Sequence, residues 1–226
     1  MHIPDGYLAP QTYLSFFAFI VPYLTVAARR VKKTLRLRQV PMLALGAAFT
    51  FVVMMFNIPL PGGTSGHAVG AVLVAILLGP WAASLAVSVA VIIQALLFGD
   101  GGITAIGANC FNMAVVMPFV GYYGYRLAAG AEPGPRRRWL AGAVAGYAGL
   151  NAAALCCGVE LGLQPLLAAG ADGRPLYAPY PLAVAVPAMV LGHLVFGLAE
   201  ALVTGLVLRH LQRTGADLPS LAGAGR

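Results

Sequence analysis

Apolar residues run along this chain in long, uncharged stretches with short polar breaks, without the strict alternation of half-buried strands. Seven such stretches stand near residues 8–28, 40–58, 66–79, 80–98, 108–128, 139–159 and 186–208. A helix needs about 20 apolar residues to cross a bilayer. The pattern therefore predicts an all-α membrane protein: a bundle of seven transmembrane helices forming one integral-membrane domain over 1–226. The ambiguous stretch is 68–99, which carries no charge and is broken only by Gly79-Pro80. Basic residues decide between one long span and two short ones, because positive loops stay on the cytoplasmic side. Two spans place thirteen of the fourteen Lys and Arg on one side and only Arg174 on the other; one span splits them seven to seven. The N-terminus is thus expected outside and the C-terminus in the cytoplasm, with external segments 1–7, 59–65, 99–107 and 160–185. Those segments hold four of the seven acids, Asp5, Asp100, Glu160 and Asp172.

Composition narrows the classes of function. Of 226 residues, 60% are hydrophobic and 9% charged, where a soluble domain is about a quarter charged. A cytosolic enzyme is excluded, and no length is left for a fused ATPase, so energy for any active process has to come from partners. A net charge of +7 would suit a nucleic-acid binder only if the basic residues shared a folded face with aromatics. Here they flank apolar runs, six of them between Arg29 and Arg38, as topology-setting charges do. Cys110, Cys156 and Cys157 have no CxxC spacing and read as packing residues. Two small-xxx-small spacings, Ala44/Ala48 and Gly142/Gly146, suit close helix packing, most simply within the subunit.

The start of the chain, MHIPDGYLAP, has no basic region ahead of its apolar run and so does not read as a cleaved signal. Because His2 is bulky, the initiator methionine is expected to stay, leaving the amine of Met1 at the terminus. That amine, the His2 amide nitrogen and the His2 imidazole can close on one metal in fused, planar chelate rings. Tetragonal nitrogen sites favour Ni(II) or Cu(II), with Co(II) less distinctive. Pro4 and Gly6 bend the segment, and Asp5 is placed to orient a ligand by hydrogen bonding. A fourth nitrogen comes from His67, which follows PGGTSG on the same predicted face. Gly62, Gly63 and Gly66 let that loop close over a small ion, and Thr64 and Ser65 can cap the next helix or hold the imidazole. The loop is not a phosphate cradle, since His67 and Ala68 stand where a P-loop has Lys and Ser/Thr. GDGGITAIG at 99–107 fails GxGxxG at Thr104.

MHIPDGYL at the start, PGGTSGH at 61–67, LLGPWAA at 77–83, QALLFGDGGITAIGAN at 94–109 and FNMAV at 111–115 together resemble the CbiM/NikM family, the substrate-binding components of energy-coupling-factor cobalt and nickel transporters. The resemblance is strong over about the first 125 residues and rests mainly on hydropathy beyond them. It implies that Met1, His2 and His67 hold the metal, that the helices number seven, and that the transported substrate is Co2+ or Ni2+. It also implies a multi-pass protein of the plasma membrane that binds no ATP itself. Expected partners are a transmembrane coupling subunit, ATPase subunits and, in some systems, a small accessory membrane subunit. Some relatives have MHIMEG and SHPTG where this chain has MHIPDG and GGTSGH, which leaves cobalt against nickel open.

Other polar residues sit within the apolar runs. His193 and Glu200 lie seven apart on one helical face and read as an interhelical hydrogen-bonding pair, with a relay or second cation site as the alternative. Asn109 is expected to support the site and Asn112 less so. Gln94 and Asn57 read as helix contacts and His210 as a solvated end residue. The first functional reading is a transport component, not an enzyme. The rivals are an intramembrane metal-dependent hydrolase, which would need an open metal position and a nearby carboxylate, and a non-transporting membrane scaffold.

Overall fold

A computed structural model describes residues 1–35, 37–60 and 64–215, without the side chains of Arg38, Pro59, Leu60, Thr64 and Ser65. Helix α1 covers Pro10–Thr34 and α2 covers Val40–Met54. A short antiparallel hairpin follows, β1 Ile58–Leu60 and β2 Thr64–Gly66, with Ile58 opposite Gly66. Helix α3 is Ala71–Leu78, and α4, Pro80–Ile93, runs on into a π-helical turn at Gln94–Phe98. Helix α5, Ile106–Cys110, passes through a π segment at Phe111–Val116 into α6, Met117–Ala129. The two longest helices, α7 (Pro135–Gly162) and α9 (Leu182–Arg213), are separated by the single turn α8, Gln164–Leu167.

The all-α membrane bundle expected from hydropathy is present, but the count of seven spans is not. Among the described residues, four helices are long and apolar enough to cross a membrane: Pro10–Thr34, Pro80–Phe98, Pro135–Leu167 and Leu182–Arg213; Val40–Met54 is a shorter apolar helix. Apolar runs reveal where a chain avoids water, not where its helix is interrupted. The run at 66–79 begins in β2 and holds only the eight-residue α3, about 12 Å long at 1.5 Å per residue. Gly70 and Gly79, both at positive φ, bound that helix. The run at 108–128 is divided by π geometry. The alternation of sides assigned to successive loops rested on seven crossings and falls with them. Glu160, expected in a loop, is buried within α7.

The grouping of positive charge survives in three dimensions. Lys32 and Lys33 lie in the last turn of α1, Arg126 in that of α6 and Arg213 in that of α9. Arg137 donates to Ala128 O at 2.8 Å, Arg209 covers Trp139, and Arg30 covers Trp81 at 4.5 Å. The opposite end gathers the starts of α1 and α9 and the end of α7, where Ala9 N donates to Gln164 and Leu182 packs on Gly162. Cations at the last turns complement the helix dipole, whereas Arg136–Arg138 in the first turn of α7 oppose it. Those three arginines fit membrane topology better than helix stability.

Helices α7 and α9 form the central pair. Positions Gly142 and Gly146 of α7 face Thr204, with Leu208 over Gly142, so this small-residue pair packs within the subunit as expected. Ala44 and Ala48 of α2 are exposed instead.

Candidate metal centre

Met1, Ile3, Leu8 and Ala9 are packed into the bundle like core, while residues 4–7 are exposed. Met1, Ile3 and Leu8 are each 2% exposed or less, because the segment's backbone is hydrogen-bonded to three different parts of the fold. The Asn109 side chain binds both polar groups of Ile3, accepting from its N–H at 2.8 Å and donating to its carbonyl at 3.1 Å. The same carbonyl accepts from Gly102 N, and Tyr7 O accepts from Ala178 N. Ala9 N donates to the Gln164 amide oxygen at 2.9 Å. Close approach of the 99–107 loop needs glycine. A Cβ on Gly102 would overlap the Asp5 and Pro4 backbone, and one on Gly101, whose φ is +91°, would press on the His2 ring and the Asn109 amide.

Asp5 works on this loop and not on the imidazoles. Its carboxylate accepts from Ile103 N, Thr104 N and the Thr104 hydroxyl, and these bonds hold its pKa below 3.8. A depressed carboxylate stabilises the fold fully above its unfolded pKa and loses that contribution as pH falls through the folded value. An NMR titration of the Thr104 amide should therefore give a midpoint below 3.8. A midpoint at or above that value would show that the bonds do not persist in solution.

This anchoring brings three nitrogens together. The Met1 amine lies 3.4 Å from His67 Nε2, and His67 Nε2 lies 3.1 Å from His2 Nδ1. The two imidazoles stack, with centroids 4.9 Å apart. Two neighbouring ligands, each about 2 Å from one ion at right angles, stand about 2.8 Å apart, so these separations need to shrink only slightly. His67 Nδ1 is 3.0 Å from the Ala68 carbonyl, an acceptor, so the proton belongs on Nδ1 and the Nε2 lone pair faces Met1 and His2. The His67 loop is held from behind by α9. Glu200 accepts from Val69 N at 2.7 Å and Gly70 N at 2.9 Å, and the Phe196 ring presses on Gly66.

Burial prepares the nitrogens as donors. It lowers the Met1 amine to about 6, and burial together with that amine lowers His2 to about 3. Burial, the amine and His2 take His67 well below 6.5. All three shifts run toward the neutral form, the one that binds a metal. Asp100 Oδ1, 3.5 Å from His2 Nδ1, is the nearest carboxylate. Among the described residues no three His, Cys, Asp or Glu side chains group as a metal site. The gathering seen here depends on a chain terminus.

The remaining sequence candidates divide. Asn109 braces the N-terminal segment through Ile3. Asn112 instead donates to Glu160 at 2.7 Å, Asn57 and His210 are exposed, and the described backbone puts Thr64 and Ser65 in β2. Pro61, Gly62 and Gly63 and the side chains of Thr64 and Ser65 lie outside the described residues, as do the roles predicted for them. Glu200 makes a structural bond between elements, joining α9 to the start of α3, whereas His193 Nδ1 donates to Met189 O one turn back in its own helix. Sequence reasoning missed Cys157, whose thiol reaches Met1 O at 3.8 Å, and Gln94, which is wholly buried beside His2. The adjacency of Gln94 to the FGDGG loop was the one available signal.

These features define a multi-pass membrane protein with a nitrogen-rich recess built around its own N-terminus. The chain belongs to the CbiM family, described as the cobalt uptake substrate-specific transmembrane region, whose family model matches residues 2–218. This is a family of transport components, not of enzymes. The chain is 56% identical over 220 residues to a fused nickel transport protein, NikMN, of Rhodobacter capsulatus, covering 96% of this chain and 63% of that one. It is 50% identical to a probable fused nickel transport protein, LarMN, of Lactiplantibacillus plantarum, of which it spans 65%. A putative metal transport protein of Methanocaldococcus jannaschii is 46% identical, with 96% of this chain and 94% of that one covered. The chain thus spans slightly under two thirds of the length of the two fused relatives. Crystal structures of a transition metal transporter and of a truncated one superpose with TM-scores of 0.91 and 0.90 at 55% identity, covering 96% and 95% of this chain and 95% and 99% of theirs.

Proposed function

We propose that this chain is the substrate-binding membrane component of an ATP-driven energy-coupling-factor importer for divalent cobalt or nickel. The observation that carries the proposal is the position of His67 Nε2, 3.4 Å from the Met1 amine and 3.1 Å from His2 Nδ1. The ligands are then the Met1 amine, the His2 amide nitrogen and imidazole, and His67. The first three form fused five- and six-membered chelate rings, which hold their donors in one plane, and His67 closes the square. Asn109 and Asp5 fix the segment that carries the chelate. Family membership supports the class of cargo, and the relatives' names favour nickel without excluding cobalt.

Transport requires release as well as capture, and a planar set of four nitrogens releases only when it is pulled apart. The work falls to a transmembrane coupling subunit and ATPase subunits in the plasma membrane, with a small accessory membrane subunit as a further partner. The whole chain, 1–226, acts as one integral-membrane unit around the site.

Purified His2→Ala and His67→Ala proteins test this. Each loses one of four donors and should bind nickel and cobalt about 100-fold more weakly, as when the roughly 10–16 kcal/mol typical of a four-ligand structural zinc site is shared among its donors. Cells carrying either variant should lose metal uptake at normal protein level. Wild-type affinity in either purified variant would overturn the ligand assignment.

A further inference from the structure

Gln94 ends α4 and opens its π-helical turn, a geometry that recurs at functional sites. Its backbone carbonyl accepts from Asp100 N at 3.1 Å, placing the carboxylate that approaches His2. Its side chain is 0% exposed, and neither the amide nitrogen nor the amide oxygen has a hydrogen-bond partner of ordinary geometry. A buried amide left in that state is destabilising, so its retention here calls for an occupant.

The unmatched group on the other side belongs to His2. Its Nδ1 faces His67 Nε2 and Asp100, whereas its Nε2 is buried with no partner. Gln94 is the side chain that addresses this ring, its buried amide lying beside the imidazole. Gly101 packs against the ring at Cδ2, the carbon next to Nε2. When Nδ1 gives its lone pair to a metal, the ring proton must reside on Nε2, and a metal-bound imidazole donates that proton to an oxygen acceptor as a rule.

We infer that Gln94 is a positioning residue for metal binding, its amide oxygen accepting the His2 Nε2–H and thereby fixing the tautomer and plane of the ring that presents Nδ1 to the metal. This rests on the ligand reading above. The unmatched amide and the unmatched Nε2 become each other's partners when the metal is bound. A short inward shift of the His2 ring then both closes the metal site and satisfies the two buried groups.

Nickel binding by the full chain in detergent or nanodiscs, with Gln94→Met, Gln94→Glu and His2→Ala beside wild type, tests the inference. Removing a hydrogen-bond partner of a ligating histidine typically weakens metal binding about 10–100-fold, and Gln94→Met should do so. Gln94→Glu restores an acceptor and should return affinity to within about threefold of wild type. In the diamagnetic planar nickel complex, the His2 Nε2–H resonance should lie downfield in wild type and in Gln94→Glu, and move upfield in Gln94→Met. Unchanged affinity in Gln94→Met would overturn the role, as would equal weakening of both Gln94 variants with an unmoved Nε2–H resonance, which indicates packing alone. Should Gln94→Met not fold, Gln94→Asn, which retracts the amide by one methylene, serves in its place. Full binding by His2→Ala would overturn the ligand reading itself; loss there with no change at Gln94→Met removes only the positioning role.

Discussion

Adding two alanines ahead of Met1 will abolish nickel and cobalt binding, with a loss of at least about 1,000-fold. The amine lies in a recess where Met1 is 2% exposed and stands 3.4 Å from His67 Nε2. Each added residue moves it by about 3.8 Å, out of a buried recess in which the Cys157 thiol already reaches Met1 O. Losing the amine and breaking the adjacent chelate ring removes more than one donor of a set in which each is worth about 3 kcal/mol or more. Two residues are preferable to one. A single alanine would create Ala-Met-His, whose amine, two amides and imidazole form a planar four-nitrogen chelate by themselves and would bind nickel for an unrelated reason. Calorimetric titration of metal-free protein reads the outcome, and affinity within about threefold of wild type would exclude the terminal amine as a ligand.

The second large effect is on stability. Glu200 is 0% exposed and satisfies the backbone N–H groups of Val69 and Gly70 from across the bundle. Glu200→Leu keeps the apolar volume and strands both donors, at about 1–3 kcal/mol each. For a chain of this size that corresponds to a fall of roughly 5–20 °C in thermal unfolding temperature. Glu200→Gln retains one acceptor and should fall between. Because Val69 follows His67 by two residues, nickel affinity should drop in the same order. A Glu200→Leu protein as stable as wild type would mean that water or another group satisfies those donors.

The sequence announced the membrane and the candidate metal site for different reasons. Long uncharged runs are unambiguous evidence of apolar surroundings, yet they do not show where helical geometry is broken. Gly70, Gly79 and the π segments at Gln94–Phe98 and Phe111–Val116 divide runs that look continuous. The seven-span expectation failed there, and the hairpin at 58–66 passed for plain loop. Met1 and His2 were legible because adjacent backbone atoms make a chelate whatever the fold, and His67 because it stood alone after a glycine-rich break. Gln94 was not legible: an amide in an apolar helix is usually an interhelical contact, and only the fold shows that it faces His2. Glu160 was misplaced because a carboxylate is ordinarily read as solvated, whereas this one is buried and held by Asn112.

Helix α9 is one unbroken rod of 32 residues, about 48 Å from end to end. Midway along it, Phe196 and Glu200 grip the strand and turn on either side of His67; thirteen residues further on it ends at Arg213 among the basic chain ends. A packed helix moves as a rigid body, so a push or twist applied at the arginine end arrives at Val69 and Gly70 about 20 Å away with little lost to bending. On the proposed ligand set, the loop that carries His67 is therefore mechanically addressable from the far end of the bundle, by a partner that need never touch the metal.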